Sequence, residues 1–326
     1  MANLIYANAR AKALSKNLLG EDRLNRMVDA PTAEDAIKIL SEVNFGDGIS
    51  VDSAIDFEKL IDAEQKKFFA FLKENGSPKN EAKFFLLKND FHNAEVFIKG
   101  KHLRKDFENM TAPDGIIDKG VLKDCIMGDE YGDLPEQMGK ALLQCDADFV
   151  GGKASGQSVN EIMTKAYYEE LFRACAKDKT LSKIYTFKVD CINIGIALRT
   201  RNFLLAKSAF LPHGKIKDET LKDLCEENLE SLAEKMKGTE YSSIINLALE
   251  QKLKGDPLSD FEKVIDQYPL ELLKKEKYNF EGNFQFLIYC FTRVAEINDV
   301  RIILVGLING LDKLEIKRKL RINDER

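Results

Sequence analysis

The seven residues Asp56-Phe57-Glu58-Lys59-Leu60-Ile61-Asp62 return almost unchanged as Asp260-Phe261-Glu262-Lys263-Val264-Ile265-Asp266, 204 positions later. Half that interval predicts a third copy starting at residue 158. Ser158-Val159-Asn160-Glu161-Ile162-Met163-Thr164 stands there, with cap-forming, apolar and polar residues in the same slots. The chain therefore reads as one unit of about a hundred residues written three times. A fixed period is a strong constraint, because each copy has to form the same supersecondary structure.

Within each copy the apolar residues keep helical spacing, as in Val159, Ile162, Met163, Ala166, Tyr167 and Ala174. Asp56, Ser158 and Asp260 are expected as helix N-caps, and Ser158 with Glu161 has the capping-box spacing. Pro269 is expected to break or kink the helix of the third copy. Few segments alternate with period two, so the expected fold class is all-α. A further recurrence sets Leu122-Lys123-Asp124 against Leu221-Lys222-Asp223, each preceded by a glycine, Gly115 or Gly214. Turn chemistry at Thr111-Ala112-Pro113-Asp114-Gly115 and Phe210-Leu211-Pro212-His213-Gly214 places domain boundaries, giving domains over 1–110, 111–210 and 211–326.

The 326 residues are 44% hydrophobic and 32% charged, with a net charge of −5. A clustered basic excess is missing, so no nucleic-acid partner is expected. No apolar run approaches the roughly 20 residues of a membrane-spanning helix; Val300–Ile308 is short and interrupted by Arg301. The start, Met1-Ala2-Asn3-Leu4-Ile5-Tyr6, lacks the charged and apolar regions of a signal peptide. The expected location is cytoplasmic, at a membrane only through a partner. Six cysteines without a CxxC read as small buried apolar residues.

Catalytic signatures are weak. Gly151-Gly152-Lys153 is followed by Ala154 where a phosphate loop needs Ser or Thr. Asp129-Glu130-Tyr131-Gly132-Asp133 lacks calcium-loop spacing. His92, His102 and His213 have no partner at metal spacing. No catalytic, cofactor-binding or metal-binding residue is assigned.

One polar feature does repeat. Lys88-Asn89-Asp90-Phe91-His92-Asn93 aligns with Lys188-Val189-Asp190-Cys191-Ile192-Asn193, and Glu296 and Asp299 take the same slots in the third copy. Along the second copy, Thr186, Asp190, Asn193, Ala197 and Thr200 fall on one line of an otherwise apolar helix. Such side chains can satisfy each other or a neighbouring helix end. They can also turn inward on three equivalent helices and wet a central cavity, or form a carboxylate active site. The stripe Asp90, Asn93, Asp190, Asn193, Glu296 and Asp299 is expected to face a threefold axis. Basic residues follow it. Lys99, Lys101, Arg199, Arg201 and Arg301 read either as solvated helix ends or as an interface for an acidic partner.

Several segments resemble one family in order. They are Tyr6-Ala7-Asn8-Ala9-Arg10-Ala11-Lys12-Ala13-Leu14-Ser15, Ala166-Tyr167-Tyr168-Glu169-Glu170-Leu171 and Asp190-Cys191-Ile192-Asn193-Ile194-Gly195-Ile196-Ala197-Leu198-Arg199. Ala295-Glu296-Ile297-Asn298-Asp299-Val300-Arg301-Ile302-Ile303 and Lys317-Arg318-Lys319-Leu320-Arg321 complete the series. Together they look like the C subunit of V-type and archaeal-type ATPases, whose eukaryotic homologue is the d subunit. The resemblance implies a funnel-shaped body of three similar helical domains about a pseudo-threefold axis. It also implies a non-catalytic rotor role on the cytoplasmic face of the membrane. There the protein would join the central shaft, built of D- and F-type subunits, to the proteolipid ring and transmit torque. It implies no cofactor and no ligand motif. A helical-repeat scaffold for an unrelated partner is the alternative.

Overall fold

The computed structural model describes residues 2–75, 81–113, 115–238, 241–279 and 282–321. Every regular element among them is helical, so the all-α class holds. In chain order the α-helices are α1 (Ala2–Leu14), α2 (Gly20–Asp29), α3 (Ala33–Leu40), α4 (Glu58–Asn75), α5 (Glu81–Leu103) and α6 (Lys119–Met127). There follow α7 (Glu136–Val150), α8 (Gly156–Cys175), α9 (Lys179–Thr200), α10 (Phe203–Lys207) and α11 (Asp218–Glu226). The remainder are α12 (Leu229–Lys235), α13 (Ser242–Lys254), α14 (Ser259–Lys274), α15 (Phe284–Ile308) and α16 (Lys313–Lys319).

Several helices start where short polar side chains take up free amides, though not at the residues the repeat marks. Ser158 is the third helical residue of α8; the cap is Ser155, and Ser155 and Ser158 bond to each other's backbone. Asp56 lies inside a 3-10 turn capped by Ser53 and pairs with Lys59. Asp260 sits in the first turn of α14, where it suits the positive end of the helix dipole, and the preceding Leu258 offers no side-chain bond. In the first two copies the cap thus lies upstream of the repeated string. A serine or threonine there is a better acceptor for the first amides than a residue already inside the turn. Pro269 does not break its helix: α14 runs from Ser259 to Lys274 with Pro269 buried inside it.

The chain forms two compact units, one of residues Met1–Asn75 with Pro257–Arg326, the other of Gly76–Asp256. The first is built round α15. This helix is apolar on nearly every side, the pattern of a helix surrounded by others. It contacts α1, α2, α3, α4, α14 and α16. Val300, Ile303 and Leu304 meet Leu24, Met27, Val28, Leu40 and Ile61 in one core. Each such side chain, when fully buried, contributes about 1.5–3 kcal/mol of transfer free energy. Helices α1 and α2 from one part of the sequence and α16 from another therefore meet on a single helix.

In the second unit α5 packs on α6, α7 and α8, and α9 packs on α8, α10, α11 and α13. Leu87, Phe91, Ala94 and Ile98 of α5 share a core with Leu122 and Ile126 of α6, and with Met138, Leu142 and Cys145 of α7. All six cysteines are free thiols, and five are buried. Burial pushes the Cys145 and Cys175 thiols up to about 12, so neither is a thiolate near neutral pH. No described helix is long and apolar enough to cross a membrane.

Candidate functional site

The repeated stripe residues sit mid-way along α5, α9 and α15, the three longest helices. All six are buried. Asp90 accepts the backbone amides of Ile116 and Ile117 (2.9 and 3.0 Å), just before Asp118 caps α6. Asp190 accepts those of Lys215 and Ile216 (2.8 and 3.0 Å), just before α11, and also the Tyr241 hydroxyl. A Cβ at Gly115 or Gly214 would collide with the carboxylate of Asp90 or Asp190. That is why a glycine precedes each pair of donating amides. The carboxylate is cradled by a turn that only an unsubstituted α-carbon lets come so close.

The stripe's second position works the same way one turn further on. Asn93 accepts the Ala112 amide (2.8 Å) and donates to the Ala112 carbonyl (3.3 Å). Asn193 makes the matching pair with Leu211, at 2.8 and 3.1 Å. One side-chain amide thus satisfies both polar groups of a single backbone unit, and a buried backbone unit has to be satisfied. Each long helix therefore holds the loop that follows it at two points and aims a short helix, α6 or α11, from that loop.

The third copy is closed by the two ends of the chain. Glu296 accepts the Gly20 amide at 2.9 Å, together with that of Leu19, where α2 begins. Gly20 has φ +67°, the left-handed region that favours glycine. Asp299 accepts the Arg321 amide at 2.7 Å. The longer glutamate stands where the other copies have aspartate, and it has a cationic neighbour. Arg293, 3% exposed, lies 3.4 Å from Glu296 and 3.1 Å from Glu64, and also donates to the Asn17 carbonyl. Glu64 in turn accepts the Gly46 amide. The Arg293 Nε is buried without a hydrogen-bond partner. Burial pushes the Glu296 carboxyl up to about 7, against the pull of Arg293 and the two amides.

The five basic residues expected at an interface are mostly engaged within the chain. Lys101 donates to the Ile126 carbonyl at the end of α6 (3.0 Å) and pairs with Asp129. Arg201 donates to the Leu224 and Glu227 carbonyls at the end of α11. Both cations suit the negative end of a helix dipole. Lys99 pairs with Glu95, and Arg301 makes a two-pronged pair with Glu58 at 2.9 Å. Arg199 is exposed on the last turn of α9.

Sequence reasoning did not foresee the partners of the histidines. His92 bonds the Met110 carbonyl. His102 lies flat on Phe149 and bonds Asp146, while His213 lies flat on Phe172 and bonds Glu169. In both cases the acid and the phenylalanine are three residues apart on a helix, a spacing that was readable once the histidine's position was known. The Gly151–Lys153 loop is exposed and folds back on the end of α7. Lys153 and Ala154 both donate to the Asp148 carbonyl, which closes the end of α7. No group of three His, Cys, Asp or Glu with metal-holding geometry occurs among the described residues.

An all-helical chain with three copies of one carboxylate-held joint belongs to a class defined by internal repetition. Residues 7–319 match the model of the ATP synthase (C/AC39) subunit family, and the chain belongs to that family. It is 20% identical to the C subunit of the V-type sodium ATPase of Enterococcus hirae, over 93% of this chain and 94% of that one. It is 23% identical to the C subunit of the A-type ATP synthase of Methanocaldococcus jannaschii, over 98% and 86%. Identity to the C subunit of the V-type ATP synthase of Thermus thermophilus is 22%, over 81% and 85%.

Proposed function

We propose that this chain is a non-catalytic central-stalk component of a V/A-type rotary ATPase, seated on the inner face of the membrane through its complex. It receives the shaft formed by D- and F-type subunits at one surface and the proteolipid ring at another, and it passes torque between them. The observation that carries the reading is the family match over residues 7–319, nearly the whole chain.

The residue-level features agree with a mechanical role. Torque is transmitted without loss only by a body that resists deformation, and close-packed helices do so. Joints between helices are the compliant points. Here each joint behind a long helix is held by a buried carboxylate and a second polar side chain. Bonds of this kind to a charged group contribute about 1.5–3 kcal/mol each. Large apolar side chains stay exposed after the long helices, Leu204 (82%) and Leu205 (66%) on α10 and Leu314 (76%) on α16. Such residues suit the anchoring of a partner surface.

The test is co-purification. The chain, mixed with the shaft subunits of its own complex, is expected to form a stable complex on a sizing column, and that complex to bind the detergent-solubilised ring. Failure to bind either one would refute the proposal.

A further inference from the structure

The joint at α15 carries charges at positions that are uncharged in the other two copies. Three residues ahead of the stripe acid, α5 has Leu87 and α9 has Phe187, whereas α15 has Arg293. On α4 the ungapped repeat sets Glu64 against Ala166 and Tyr268. Glu64 and Arg293 meet. The Arg293 guanidinium lies 3.1 Å from Glu64 and 3.4 Å from Glu296, and its Nη2 donates to the Asn17 carbonyl. Glu64, Arg293 and Glu296 are 2%, 3% and 0% exposed. The two acids also hold backbone amides on either side of the α2–α3 segment, Glu296 that of Gly20 and Glu64 that of Gly46.

Two buried acids thus share one buried cation. Glu64 has a second cation, the half-buried Lys67 of α4, whose ammonium stands 3.6 Å away. Glu296 has no second cation among the described residues. Helices α1 and α2 bring it backbone only, the Leu19 and Gly20 amides. Arg10 of α1 is bound to Glu74, and Arg23 of α2 to Glu42 and the Leu19 carbonyl. Ion pairs on α3, α14 and α16 join other residues, Lys38 with Asp35, Arg318 with Asp260 and Lys317 with Asp29. Asp299, further along α15, is held by the Arg321 amide. The guanidinium lies over the Tyr289 ring, whose hydroxyl burial keeps neutral. A carboxylate short of counter-charge in a dry interior is disfavoured against its protonated form. A cavity of about 610 Å³ between α1 and α4 reaches Tyr289 and Arg293, so protons can exchange with solvent there.

We propose that the Glu64–Arg293–Glu296 cluster is a proton-operated lock, which fastens the α1–α2 turn to α15 while one proton is bound and slackens it when that proton leaves. With the proton on Glu296, the three buried groups are one carboxylate against one guanidinium. Without it they are two carboxylates against one, and Glu296 gains by opening to water. Burial pushes the Glu296 carboxyl up to about 7, against the pull of Arg293 and the two amides. In an opened joint the group returns toward 4.5, so the closed joint holds the proton more tightly. Closure is therefore strongest below the ordinary carboxylate range and is lost progressively as pH rises through about 7. The opening is local, because Leu24, Met27, Val28 and Leu40 keep the α2–α3 segment in the core. The proposal is independent of the rotary reading.

The test is hydrogen exchange of the full chain, read by mass spectrometry between about pH 5 and about pH 8 and corrected for the intrinsic pH dependence of exchange. The Leu19 and Gly20 amides are expected to exchange faster than those of Ile303 and Leu304 in the core. Their protection is expected to fall at least tenfold across that range in wild type. Glu296→Gln, whose side-chain oxygen still accepts the amides but does not titrate, is expected to give a flat profile. A second readout needs no variant. With glutamate carboxyls labelled with carbon-13 in wild type, one resonance is expected to titrate between about pH 6 and about pH 8. Wild-type protection that does not change with pH, an equal decline in Glu296→Gln, or no glutamate resonance titrating in that range would each overturn the proposal. So would Leu19 and Gly20 exchanging no faster than Ile303 and Leu304 at every pH, because the joint then opens only when the whole unit unfolds.

Discussion

Removing the Asp190 carboxylate by Asp190→Ala tests the joint at a fully buried point. The residue is 0% exposed, and three donors converge on it: the Lys215 and Ile216 amides and the Tyr241 hydroxyl. A buried donor left without an acceptor costs about 1–3 kcal/mol, and three of them, with some relief from entering water, give a loss of about 4 kcal/mol. For a unit of this size each kcal/mol lowers Tm by about 2–4 °C, so the expected fall is about 8–16 °C. Asp190→Asn keeps an acceptor oxygen for the two amides and offers Tyr241 a donor. Its expected cost is that of the lost charge alone, about 1–2 kcal/mol. Thermal melts followed by circular dichroism at several scan rates would read both variants. A melt of Asp190→Ala within about 2 °C of wild type, or an Asn variant as damaged as the Ala variant, would show that the carboxylate does not hold the joint.

Gly214→Ala is expected to destabilise the same joint, because the new Cβ meets Asp190; urea unfolding that matches wild type would refute the close approach. The Glu296 carboxyl has its folded pKa raised to about 7 from 4.5, so the folded chain holds that proton more tightly than the unfolded chain does. The stability this lends is fully present below the unfolded value and is lost as pH rises through about 7, a change on the order of 3 kcal/mol. Urea titrations between about pH 5 and about pH 8 are expected to show that decline in wild type, with a flatter profile for Glu296→Gln. Equal profiles would remove Glu296 as the cause. Arg199→Glu is expected to weaken binding to the shaft or the ring without unfolding the chain, read by pull-down and circular dichroism. Arg201→Glu is expected to lower Tm as well, because the Arg201 guanidinium holds the end of α11.

The stripe was legible in the sequence because Asp90/Asn93, Asp190/Asn193 and Glu296/Asp299 recur at one spacing on helices otherwise apolar. Its hydrogen-bond partners were not legible. They are backbone amides, which every residue but proline carries, and only the preceding Gly115 and Gly214 marked two of the three cradles. The third cradle lay further from view, since Glu296 meets Gly20 across 276 positions of chain, a separation no local pattern records. The caps were misplaced by a few residues because the repeated string is conspicuous while Ser53 and Ser155, upstream of it, are not. Pro269 was expected to break or kink α14; the break does not occur, since its buried ring lies within a helix that continues to Lys274, where tertiary packing outweighs the local preference.

The central claim, that this chain couples the rotating shaft to the ring, is tested most directly in inverted membrane vesicles from cells lacking it. ATP-driven ion uptake is expected to be absent while ATP hydrolysis by the detached head persists, and added purified chain is expected to restore uptake. Full ion uptake in vesicles that lack the chain would contradict the account.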